Sequence, residues 1–127
     1  MAYSTSIPAG RVVQGLLSDL PSLIAVAVVD VGTGMTLASH STSEHFNPDL
    51  AAAYNTQVVK QNLKAMKQWS LGSRELDDIL ITVADQFHLI KLLPGSEIFV
   101  YLVANSLDTN LAIARQMVQR HAAELAQ

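Results

Sequence analysis

Ile98-Phe99-Val100-Tyr101-Leu102-Val103-Ala104 is an unbroken apolar run that begins after Glu97 and ends at Asn105, Ser106 and Asp108. It contains β-branched and aromatic members, is too short for a buried helix, and stops at turn-forming residues, so it predicts a central strand covered on both faces. Asp108 then reads as a helix N-cap. Beyond it Leu111, Ala114, Val118, Ala122 and Leu125 recur at spacings of three and four, the stripe of an amphipathic helix. A doubly covered strand feeding such a helix predicts a layered α/β core.

Working outward from this strand, Pro94-Gly95 fits the centre of a type II turn. It joins the strand to a hairpin made of residues 79–84, a turn at Asp85-Gln86, and residues 87–93. Upstream, Asn47-Pro48-Asp49 supplies an N-cap, a first-turn proline and an acid favoured by the helix dipole. This opens the longest helix, which runs to about Trp69 with Gly72 as its stop. Residues 23–31 are a second strongly apolar strand. Gly32-Thr33-Gly34 turns it into residues 35–40, where Met35, Leu37 and Ser39 alternate with Thr36, Ala38 and His40. Before that, Pro8 opens a helix carrying Val12, Val13, Leu16, Leu17 and Leu20 up to Pro21. The order is α-β-β-α-β-β-β-α over one domain, residues 1–127.

The two strands covered on both faces must be interior, which places them side by side and predicts the sheet order 2-1-5-4-3. The second helix then carries the chain from one sheet edge to the other. At about 22 residues it spans roughly 33 Å, enough to cross five strands spaced about 4.8 Å apart, while the other helices cover the opposite face. Strand three falls at an edge although Ile79, Leu80, Ile81, Thr82 and Val83 offer neither proline nor lysine to blunt it. A single helix, about 10–12 Å across, cannot cover a five-stranded face. Both points predict a two-fold dimer that joins strand three and helix two of each subunit. The competing expectation is that the loop at residues 71–75 folds over the edge.

Composition narrows the function. The chain has 127 residues, half of them hydrophobic, no cysteine and a net charge of −3. Absence of cysteine excludes disulfide and thiol chemistry, and with no charged segment ahead of an apolar run near Met1 the chain reads as cytoplasmic. No apolar run approaches the roughly 18 residues of a membrane span. The acidic balance argues against a dedicated nucleic-acid binder.

Residues able to carry chemistry are scattered. Gly32-Thr33-Gly34 has no third glycine, no following helix and no Gly-Lys-Ser/Thr, so it is a hairpin turn and no P-loop. His40 and His45 flank a polar loop without a third ligand at useful spacing and read as solvated. His88 alternates with Phe87 and Leu89 on a strand, and His121 lies near a helix end where the dipole favours a cation. No Gly-x-Ser-x-Gly elbow occurs. Asp77 and Asp78, adjacent and therefore on opposite faces if the strand begins there, read as edge gatekeepers. The sequence predicts a non-enzyme with no cofactor, no metal and no catalytic residues.

Helix two is uneven. Lys60, Lys64 and Lys67 hold three of the eight basic residues, and no acid lies between Asp49 and Glu75. A solvated face is one account. The other is a ridge that docks an acidic partner, with Gln57, Gln61 and Gln68 adding adaptable hydrogen bonds. Met66 and Trp69 read as core or dimer contacts.

The element order, the strand ending Val29-Asp30 with a glycine turn and Leu37-Ala38-Ser39 after it, and the passage from Ala104-Asn105 through Asp108-Thr109-Asn110-Leu111-Ala112 into the last helix together resemble the Roadblock superfamily. That superfamily includes dynein-associated light chains and bacterial regulators of Ras-like GTPases. The resemblance implies an α/β (α+β), profilin-like, mostly antiparallel sheet with helices on both faces, in the order derived above. It implies a homodimer or heterodimer through Ile79, Leu80, Ile81, Thr82 and Val83 and through a helix bearing Val58, Val59, Leu63 and Met66. It also implies a partner surface on the exposed side of that helix, including Lys60, Lys64, Lys67, Gln57 and Gln61. The expected function is a dimeric regulator or scaffold for a small GTPase, with a GTPase-activating role that needs no inserted arginine. The alternative is a small-molecule sensor, which requires a closed apolar pocket, or a purely structural adaptor of profilin-like fold.

Overall fold

The computed structural model of the chain describes residues 3–69, 76–93 and 95–126. Along the chain run α1 (Pro8–Asp19), β1 (Leu23–Asp30), β2 (Thr36–Ser41), α2 (Pro48–Gln68), β3 (Asp78–Val83), β4 (Gln86–Leu92), β5 (Ile98–Asn105) and α3 (Leu111–Ala122), with a final 3-10 turn at Ala123–Ala126. The strands form one sheet in the order β2-β1-β5-β4-β3. Every neighbouring pair is antiparallel. The expected order is the observed one, and for the expected reason: β1 and β5 are covered on both faces.

On one face Val26, Val28, Val100 and Leu102 meet Val12, Val13 and Leu16 of α1 and Ala114, Val118 and Ala122 of α3. On the other, Ala25, Ala27, Val29, Phe99, Tyr101 and Val103 pack with Ala52 and Val59 of α2. Strand alternation sends successive residues to these two cores, so each strand is held from both sides. Burying each Val- or Leu-sized side chain contributes about 1.5–3 kcal/mol.

Local chemistry fixes the ends of the elements. Pro8 occupies the first turn of α1. Asn47 caps α2, its Oδ1 accepting from the N–H groups of Asp49 and Leu50. The β1–β2 turn is held by Asp30, whose Oδ2 accepts from Thr33 N and Oγ1, while Gly34 takes φ 75° where the hairpin passes close to Thr56 of α2.

The structure corrects several boundaries. Asp108 is not the cap of α3. A turn closed by Asp108 N–H to Asn105 O delays the helix, and Asn110 Oδ1 takes the N–H of Ile113 instead. Ala84 and Asp85 form the β3–β4 turn, and Gln86 already belongs to β4. Simple alternation in β2 also fails: a register shift between Val28 and Val29 leaves Leu37 without a cross-strand partner and puts Thr36 and Ser39, three residues apart, on the same α2-facing side. Trp69 is no core residue, being 68% exposed. Gly72, the loop at residues 71–75 and Pro94 lie outside the described residues; Gly95 does show the positive φ of 72° that its turn position demands.

Candidate protein-docking surface

The surface is organised by how α2 lies on the sheet. Asp49 Oδ1 accepts from Thr36 Oγ1 at 2.8 Å and Ser39 Oγ at 3.0 Å, both on β2. Thr56 lies against Gly34 of the β1–β2 turn. This flank of α2 therefore faces the β2 edge. Helical spacing of three and four residues continues it through Lys60, Lys64 and Lys67, all exposed. Among the described residues these three lysines have no acid within salt-bridge distance, whereas Arg11, Lys91 and Arg115 each have one. Gln57 and Gln61 stand beside them on the solvent side of the helix.

The other flank faces β5 and β4. Asn55 lies near the hydroxyl of Tyr101 on β5, opposing the rise in its pKa. The same spacing continues through Val58, Asn62 and Ala65 to Trp69, with Tyr54 (70% exposed) alongside. Across from this flank, β3 forms the sheet edge. Ile79, Ile81 and Val83 share the α2 side of the sheet with Ile90, His88 and Gln86, their cross-strand partners. Leu80 and Val83 are 38% and 50% exposed. Leu63 and Met66 are half-buried beneath the helix. Val59 is a different case: it is fully buried in the protomer's own core, so no second subunit reaches it, and it leaves the set of candidate interface residues.

No family model and no curated protein matches this sequence. Solved structures do. MglB of Myxococcus xanthus superposes with a TM-score of 0.81 at 18% identity, over 98% of this chain and 90% of that one. A Roadblock/LC7 domain from Streptomyces avermitilis gives 0.78 at 12% identity, over 91% and 92% of the two chains. The chain has the Roadblock fold. An MglB structure with a tetrameric arrangement shares it at a TM-score of 0.77 and 18% identity, over 98% of this chain and 92% of that one. At these identities the likeness is one of fold.

Elsewhere on this Roadblock fold the polar side chains hold the elements together. Asp78 receives both Nε and Nη2 of Arg115, at 2.9 and 3.1 Å, joining β3 to α3. Asp77 takes Lys91 of β4. His121 meets Asp19 at 2.6 Å and so joins α3 to α1. His45 is exposed beside Glu44, but His40 is half-buried on β2, edge-on to the Tyr3 ring at 5.9 Å. His88 is the least expected. Its Nδ1 lies 2.8 Å from the buried Tyr101 hydroxyl, its ring neighbours Phe46, and burial lowers its pKa below the usual imidazole value. Burial pushes the Tyr101 hydroxyl up to about 12, against a smaller opposing effect of Asn55. The sequence signal for this pair was only a histidine on an alternating strand opposite an aromatic one.

Among the described residues no three His, Asp or Glu side chains gather as metal ligands. A cleft of about 310 Å³ beside Ile7 and Leu37 and one of about 180 Å³ beside Lys91 and Leu93 open to solvent at the rim of the α1–α3 face. They are at or below the small end of ligand pockets, which begin near 300 Å³. No helix of the described residues is long and apolar enough to cross a membrane.

Proposed function

We propose that this protein is a non-enzymatic dimeric adaptor that docks on a Ras-like small GTPase in the cytoplasm and regulates it. The observation that carries this is the division of α2: one flank and the neighbouring β3 edge are apolar and open, and the other flank is a ridge of exposed lysines. Self-association uses the first, through Ile79, Leu80, Ile81, Thr82 and Val83 with Val58, Leu63 and Met66. Docking uses the second, where Lys60, Lys64, Lys67, Gln57 and Gln61 meet an acidic surface and steer its approach. The Roadblock fold supports this use, since a relative of the same fold has a tetrameric arrangement. Any acceleration of GTP hydrolysis comes from reshaping the GTPase and not from a side chain inserted into its active site.

The test is calorimetric binding to a panel of purified Ras-like GTPases, each loaded with GDP or with a non-hydrolysable GTP analogue. The expected result is binding that prefers one nucleotide state and is lost in the Lys60→Glu, Lys64→Glu, Lys67→Glu triple variant. Binding that ignores both the nucleotide and the lysines contradicts the proposal.

A further inference from the structure

Among the described residues of the strip between α2 and the β3 edge, His88 is a titratable side chain buried enough to respond to the approach of a second subunit. His88 lies on β4 directly opposite Ile81, one strand in from the edge, and on the α2 side of the sheet. It is half-buried in the protomer, between Phe46, Ile81 and Tyr101. A partner that touches both β3 and α2 necessarily covers the strip between them, and His88 with it.

We propose that His88 makes self-association of this protein sensitive to pH, with the dimer formed when the imidazole is neutral and released when it is protonated. This rests on the dimer through β3 and α2 proposed above. In the neutral state the Tyr101 hydroxyl donates to Nδ1 of His88. A proton on Nδ1 reverses that bond. Nδ1–H then donates to the Tyr101 oxygen, and the hydroxyl must find another acceptor. Asn55, which lies near the Tyr101 hydroxyl, stands on the same flank of α2 as Val58, so the rearrangement lies against the helix surface that the second subunit uses.

Among the described residues nothing charged stands by to stabilise the imidazolium. On β5 the facing groups are Tyr101, neutral until about pH 12, and Val103. On β3 the facing residue is Ile81, while Asp78 and Asp77 are engaged with Arg115 and Lys91. In the segment before α2, Glu44 and His45 are exposed and paired with each other. On α2, Asp49 is held by Thr36 and Ser39, and the three lysines lie on the far flank. Asp85 is exposed in the β3–β4 turn. The imidazolium would therefore be covered by the second subunit without a counter-ion from the described residues of its own chain, which disfavours the charged form. The sign follows: the dimer binds fewer protons than the free protomers, so association is strongest at neutral pH and weakens as pH falls through the His88 pKa of the free protomer, which already lies below the ordinary imidazole value.

Sedimentation velocity across a concentration series, at about pH 7.5 and about pH 5.5, reads this directly. The parent is expected to be dimeric at the higher pH, with its dissociation constant raised severalfold at the lower, two imidazoles contributing per dimer. His88→Gln, which keeps an acceptor for the Tyr101 hydroxyl but takes no proton, is expected to show less than about a twofold change over the same interval. His88→Phe serves if the glutamine variant shows a non-native circular dichroism spectrum. A parent dimer of equal strength at both pH values, or acid weakening that persists in the variants, overturns the switch and leaves the dimer standing. A parent that is monomeric at both pH values overturns the dimer itself, and the switch with it.

Discussion

Asp49 in the first turn of α2 accepts a hydrogen bond from Ser39 of β2 at 3.0 Å, and this contact decides which flank of the helix faces which sheet edge. Ser39 is buried and Thr36 donates to the same carboxylate oxygen. Removing the carboxylate in Asp49→Ala leaves a buried hydroxyl without its acceptor and removes a favourable charge from the helix N-terminus. The expected loss is about 2 kcal/mol, read as a lower urea midpoint with unchanged slope. Asp49→Asn, which keeps an acceptor oxygen, should recover part of it.

Ala84 holds φ 54° in the turn between β3 and β4, whose flanking residues Val83 and Gln86 are paired. A positive φ at the first central residue, without one at the second (Asp85), is the mark of a type II′ hairpin, where glycine is the usual first occupant. Ala84→Gly should therefore raise stability by roughly 0.5–1 kcal/mol, and Ala84→Val should lower it by about 1 kcal/mol or more. Equilibrium unfolding of the two variants should show opposite signs.

Gly15 gives His121 its place. A Cβ at residue 15 would stand 2.4 Å from the ring Nδ1, and the ring cannot yield without losing Asp19. Gly15→Ala is expected to cost about 1–2 kcal/mol, despite the gain in helix propensity that alanine brings. In a His121→Ala background the same change should be neutral or stabilising, a coupling that a double-mutant cycle measures.

The lysine ridge should matter to partners and not to folding. Lys60 with Lys64, and Lys64 with Lys67, are like-charge neighbours on an exposed helix face, each pair unfavourable by about 0.2–0.5 kcal/mol. Lys64→Glu should leave thermal stability unchanged or slightly raised. Its effect on partner association should be a slower on-rate, with weaker salt dependence, measured by stopped flow.

What could be read without coordinates was whatever rests on period and on doubly buried runs. The placement of β1 beside β5, and from it the whole strand order, followed from two apolar stretches that alternation could not divide into faces. Asn47 was legible as a cap because proline and an acid follow it. At the start of α3, by contrast, Asp108 and Asn110 are equally good caps by type, and only the turn from Asn105 decides between them. The bulge at Leu37 left no local signal, since Leu37, Ala38 and Ser39 fit plain alternation. The candidate surface was legible as a list of residues on one helix but not as two flanks. That division depends on Asp49 bonding β2 while Asn55 lies near Tyr101 of β5, which is a tertiary fact. Val59 was misplaced for the same reason: spacing groups it with Val58, yet one residue of rotation puts it in the core.

The central claim is that two copies join through β3 and α2, and light scattering on the parent and on Ile81→Lys tests it most directly. Ile81 sits mid-strand on the α2 side, opposite His88, where a charge would meet the second subunit. The parent should show a dimeric mass, and the variant a monomeric mass with unchanged circular dichroism. A parent that stays monomeric at high concentration, or a folded variant that stays dimeric, would contradict the claim.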